Sequence, residues 1–128
     1  HYKLVEPDTI EKKHPGIIDP ILDAIEGVSL SAIHYLDNPK ELGRYMNTNH
    51  ALLEALGVGH PQLSKIVLAS RAAGAFGAKI TGAGGGGCMI ALCPRQLKQR
   101  VANAIEECEA RAIMTGIDTE GARKEKNV

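Results

Sequence analysis

KITGAGGGGCMIAL, residues 79–92, decides the reading of this chain. Five of the six positions from Gly82 to Gly87 are glycine, and glycine loses more backbone freedom on folding than any other residue. The run stands between Ala78 to Thr81 and Cys88 to Cys93, two apolar segments that read as short strands. A tight reversal needs about two glycines, so five exceed what a hairpin requires. Flexible linkers mix in serine and other polar residues, which this run lacks. Successive N–H groups with no side chains in the way form a concave nest for anions, phosphate above all. Lys79 and Thr81 set a cation and a hydroxyl beside it. The competing readings are a plain hairpin linker, or glycines that permit close packing on a helix, with Lys79 a solvated strand residue.

Two familiar phosphate motifs fail on this run. Gly82, Gly84 and Gly87 satisfy G-x-G-x-x-G, but a dinucleotide fingerprint needs a helix after its glycines, and CMIALC reads as a strand. A P-loop ends in Gly-Lys followed by Ser or Thr, whereas this loop ends Gly87-Cys88.

Upstream of the hairpin the chain reads as helices. From Asp19 to Leu36, Ile21, Ile25, Val28 and Ala32 share one face, widened by Ile18, Leu22 and Leu36, with Asp19 as N-cap before Pro20. A second helix runs from Asn38-Pro39 to Gly57 with Leu42, Met46, Leu53 and Leu56 on one side, and a third follows His60-Pro61 and stops at Gly74. Downstream, Pro94 opens a helix through Glu109 bearing Leu97, Val101, Ala104, Ile105 and Cys108. Arg111 to Thr115 reads as a third strand and Gly121 to Lys126 as a polar fourth. Helices on an antiparallel sheet of about four strands make the class α+β.

Composition narrows the function. With 128 residues the chain suffices for one core, and its fifteen basic and fifteen acidic residues cancel. Without a charged stripe or aromatic platforms, neither nucleic acid nor an anionic membrane is the expected partner. No apolar segment reaches the roughly 18 to 20 residues that span a bilayer. Cys88, Cys93 and Cys108 form no metal-spaced pair and read as reduced thiols of a cytoplasmic protein. The chain opens His1-Tyr2-Lys3 without methionine, which points to a start further upstream.

On the second helix, Asn49 falls on the apolar stripe, where a buried amide without partners costs about 1–3 kcal/mol. It reads either as an interhelical or capping hydrogen bond or as part of a substrate-facing wall shared with His50. For His50 taken alone, as for His14, His34 and His60, a surface or helix-end position is expected.

Lys79 to Cys88 resembles, without a break, a motif of the GHMP kinases (galactokinase, homoserine kinase, mevalonate kinase, phosphomevalonate kinase) close to K-x-T-G-A-G-G-G-G-C. NTNHALLEALGVGHPQLSKIV (47–67), AAGAFGAK (72–79) and TGIDTEGAR (115–123) are similar to the mevalonate kinases within that family, especially the archaeal ones. The resemblance implies that residues 1–128 are a ferredoxin-like C-terminal domain, inactive alone, of an enzyme that moves the γ-phosphoryl of ATP to the 5-hydroxyl of mevalonate. It implies no catalytic or metal-binding residue in this chain. ATP and Mg²⁺ would be held mainly by an N-terminal domain absent from it, and Asp118 and Glu120 read as a solvated turn. Gly82, Ala83, Gly84, Gly85, Gly86 and Gly87 would wall a cleft between the domains, with Lys79, Thr81 and Asn49 as support. The alternatives are phosphomevalonate kinase or mevalonate 3-kinase, a small-molecule-sensing regulatory module, and a homodimerisation module. A domain cut from its partner is expected to have a large apolar surface along its middle helix, exposed or covered by a neighbour.

Overall fold

A computed structural model describes residues 14–81 and 87–116. Residues 82–86, the proposed fourth strand, Asp118 and Glu120 lie outside the described residues. The elements run α1 (Pro15–Ala32), α2 (Pro39–Ala55), α3 (Pro61–Ala72), β1 (Gly77–Ile80), β2 (Met89–Leu92) and α4 (Lys98–Glu106). Short 3-10 turns follow α1 and precede α4.

The helix starts follow a shared local chemistry. α1, α2 and α3 each carry proline in the first turn, where its missing N–H would have had no helical partner anyway. The Asn38 side chain accepts from the Glu41 amide at 3.3 Å, and His60 Nδ1 accepts from the Gln62 amide at 3.2 Å. α1 starts earlier than Asp19-Pro20 predicts: Pro15 is its proline, His14 its N-cap, and Pro20 lies inside the helix. Pro20 leaves the Gly16 carbonyl without its helical donor, but Gly16 is exposed and water can serve it. The earlier start turns Ile18 into the core, where it is completely buried. Leu36, expected on the buried stripe, is instead 66% exposed beyond the helix end. A stacked pair, Tyr35 on Tyr45 with centroids 5.4 Å apart, spans the turn from α1 to α2.

β1 and β2 form an antiparallel hairpin in the register Gly77↔Leu92, Ala78↔Ala91, Lys79↔Ile90 and Ile80↔Met89. The α+β class stands with this two-stranded sheet. The third strand expected at 111–115 is a correction, because those residues form no ladder. A ladder needs strands about 4.8 Å apart, and a groove of about 460 Å³ lies between this segment and β2.

α2 and α3 pack on β1, α1 packs along α2, and α4 along α3. The core is Ile18 of α1, Leu53 and Leu56 at the end of α2, Val58 of the loop after it, Leu63 and Val67 of α3, and Ala78 and Ile80 of β1. Ala78 and Ile80, two apart on a strand, point the same way into it. The expected apolar exposure along the middle helix is a second correction. Among the described residues, large exposed apolar side chains sit instead on α1 and the turn after it (Ile17, Leu30, Ile33, Leu36), on α3 (Leu68), and on β2 and the segment beside it (Ile90, Ile113, Met114). The middle helix spends its inward faces on α1 and β1.

Candidate functional site

The edge of β1 that faces away from β2 has no neighbouring strand among the described residues. Unpaired edge groups need other partners when they are covered. Here side chains supply all of them. The Ala78 N–H donates to Asn47 Oδ1 at 3.0 Å, and the Ile80 N–H donates to His50 Nδ1 at 3.3 Å. The Ala78 carbonyl accepts from Arg71 Nη2 at 2.9 Å, and the Ile80 carbonyl from Lys79 Nζ at 2.7 Å.

α2 can play this part because Gly43, Asn47, His50 and Glu54 recur at helical spacing on one side of it. Gly43 lets the helix backbone come against the strand: a Cβ there would collide with the Phe76 backbone, and a Cβ on Gly77 with that of Gly43. One turn on, Asn47 and His50 reach the amides of Ala78 and Ile80. His50, expected at the surface, is only 2% exposed. The sequence carried this signal in the i, i+4, i+7 and i+11 spacing of the four residues, which reads as a second face beside the leucine stripe.

The electrostatics follow from burial. His50 Nδ1 accepts a hydrogen bond, so the ring proton of the neutral imidazole sits on Nε2, 3.3 Å from Glu54 Oε1. Glu54 Oε2 accepts from Ser64 Oγ at 2.8 Å, which ties the pair to α3. Burial lowers the His50 pKa most; Glu54 opposes this, and Arg71 and Lys79 add to it. Burial also lowers the Lys79 pKa. Its ammonium folds back on the strand's last carbonyl, so Lys79 is not the freely solvated strand residue of the alternative reading.

β1 ends where the glycine run begins. The Thr81 N–H donates to the Cys88 carbonyl at 2.9 Å, and Thr81 Oγ1 donates to the same carbonyl at 3.3 Å, closing the base of the loop. Gly87 is exposed, and among the described residues a Cβ there would meet no atom closer than the Thr81 carbonyl oxygen at 3.6 Å. Gly82, Ala83, Gly84, Gly85 and Gly86 lie outside the described residues. Asn49 is half-buried on α2 and takes part in no hydrogen bond among the described side chains. Cys88, Cys93 and Cys108 are free thiols. Among the described residues no three His, Cys, Asp or Glu side chains converge on a common point.

The hairpin, its outer edge held by helix side chains and its strands joined through a glycine run bordered by Lys79 and Thr81, lies within a stretch that matches a known family. Residues 30–110 fit the model for the C-terminal region of GHMP kinases, and the chain belongs to that family. Within it, similar proteins include mevalonate kinases. That of Thermococcus sibiricus is 49% identical over 118 residues, 87% of this chain and 35% of that protein. That of Schizosaccharomyces pombe is 38% identical over 97 residues, 70% of this chain and 24% of that protein. The crystal structure of L. major mevalonate kinase in complex with R-mevalonate superposes with a TM-score of 0.72 at 27% identity, covering 77% of this chain and 31% of that one. Methanococcus jannaschii mevalonate kinase gives 0.64 at 36% identity, covering 70% and 27%. The chain spans about a third of the length of the archaeal relatives it matches.

Proposed function

We propose that this chain is the C-terminal domain of a cytoplasmic, ATP-dependent mevalonate kinase, and that the loop 82–87 forms one wall of a cleft closed by an N-terminal domain. The observation that carries this reading is the unbroken Lys79–Cys88 motif on a hairpin of the family fold, in a chain 49% identical to a mevalonate kinase.

Phosphoryl transfer is chiefly positioning and neutralisation of dispersed charge. Bare amides from Gly82 to Gly87 suit the first task, because without side chains the backbone can approach the transferring group closely. On this reading the alcohol side of the cleft falls to Ala83, with Thr81 and Lys79 as support. Asn49 lies on the helix whose neighbouring turn locks β1, and belongs to the support of this wall. Mg²⁺, which would neutralise phosphate charge, and the groups that activate the hydroxyl fall to the N-terminal domain.

Grafting this chain in place of the corresponding C-terminal third of Thermococcus sibiricus mevalonate kinase tests the reading. The graft forms ADP in a mevalonate-dependent manner, and the isolated chain neither turns over nor binds ATP or mevalonate measurably by calorimetry. A folded graft that uses phosphomevalonate instead would move the assignment to another GHMP kinase. Tight ligand binding by the isolated chain would favour a regulatory module, and a stable homodimer in light scattering a dimerisation module.

A further inference from the structure

The four contacts on the outer edge of β1 are not equivalent. The partner of Ala78 is an amide oxygen, which accepts a hydrogen bond at any physiological pH. The partner of Ile80 is an imidazole nitrogen, which accepts only while it carries no proton. Ile80 is the last residue of β1, two positions before the glycine run begins. The bond to His50 thus decides how the strand is held at the point where it passes into the loop.

We infer that His50 is a positioning residue: neutral, with its proton on Nε2, it replaces a neighbouring strand at Ile80 and fixes where β1 hands over to the glycine run, and a proton on Nδ1 releases that end. The part of this inference that concerns turnover rests on the kinase reading above; the part that concerns the strand does not. The charged groups that act on the ring are Glu54 on its own helix, Arg71 on α3 and Lys79 on β1, and Ser64 of α3 holds Glu54 from behind. Glu54 Oε1, 3.3 Å from Nε2, favours the ring proton on that nitrogen and so leaves Nδ1 free for Ile80. The imidazolium would set an N–H against the Ile80 N–H at a position 2% exposed, where water cannot easily intervene.

Amide hydrogen exchange on the 128-residue chain tests this, with Ala78 as an internal control for global unfolding. Between about pH 8 and pH 5 the protection of Ile80 falls by about tenfold or more beyond the fall at Ala78, which follows the loss of global stability. His50→Asn sets a carbonyl oxygen near the former Nδ1 position; it keeps Ile80 protected to within about threefold and removes the pH dependence. His50→Gln carries its amide out toward the Nε2 position and loses about tenfold of the Ile80 protection at every pH. In the graft, His50→Asn keeps turnover, and His50→Gln lowers kcat with little change in KM. Ile80 protection that is flat with pH in the native chain, or equal in the Asn and Gln variants, overturns the inference. So does a ¹⁵N spectrum of the native imidazole with the proton on Nδ1, which needs no variant at all. A native graft without turnover sinks the kinase reading and leaves these strand measurements standing.

Discussion

Gly43 of α2 and Gly77 of β1 meet backbone to backbone, with no room for a Cβ on either. In a solvent-exposed helix Gly→Ala gains up to about 1 kcal/mol. Here Gly43→Ala destabilises by about 2 kcal/mol or more, because a methyl group must push α2 off the strand. Gly77→Ala does the same from the other side. Urea midpoints of the isolated chain check both, and a stabilised Gly43→Ala would show that the close approach is wrong.

Positive φ separates two other glycines. Gly57 ends the second helical segment at φ +83 with open space around it, whereas Gly74 at φ +115 would set a Cβ 2.6 Å from Leu97 Cδ1. Asparagine tolerates left-handed backbone better than other side chains. Gly57→Asn therefore costs about 1 kcal/mol or less, while Gly74→Asn, with both strain and a clash, costs about 2 kcal/mol or more. Equal thermal shifts in the two variants would contradict this.

Among the described residues Asn47 makes one hydrogen bond through its side chain, from the Ala78 N–H. Asn47→Ala leaves that edge donor without its acceptor and destabilises by about 1–2 kcal/mol. Asn47→Asp keeps an acceptor and loses less. An Ala variant as stable as wild type would mean that the strand edge does not need its helix partner.

The acid side of the stability profile carries the mark of His50. Its folded pKa lies below the ordinary 6.5, chiefly through burial, so between the folded and unfolded values the unfolded chain binds more protons. The contribution is fully present above pH 6.5 and is lost as pH falls toward the folded value. His50→Asn makes the profile flatter below pH 6.5 than that of the native chain. Parallel profiles in the two proteins would place the acid sensitivity elsewhere.

Local chemistry made much of this fold readable. Asn38-Pro39 and His60-Pro61 marked two helix starts, Gly74 an end, and the glycine run a hairpin, because each acts through its own backbone. The misreadings arose where distant packing decides. Asp19-Pro20 is the better local cap, yet burying Ile18 moves the start to Pro15. Residues 111–115 have strand composition, but a ladder depends on distance from β2, which no local pattern encodes. In the site, Lys79, Thr81 and the glycines were visible as a motif. Asn47 and His50 stood at helical spacing with Gly43 and Glu54, but that face acquires its meaning only from the strand edge it meets.

The central claim is that bare backbone at 82–87 works against a reacting phosphoryl group, and Gly85→Val in the graft with Thermococcus sibiricus mevalonate kinase tests it most directly. A side chain at that position blocks the approach, and misplacement by about 1 Å can cost about a hundredfold in rate. Mevalonate-dependent ADP formation is predicted to drop by about that factor, with the melting temperature within a few degrees of the parent graft. Normal turnover by the folded Gly85→Val variant would contradict the account.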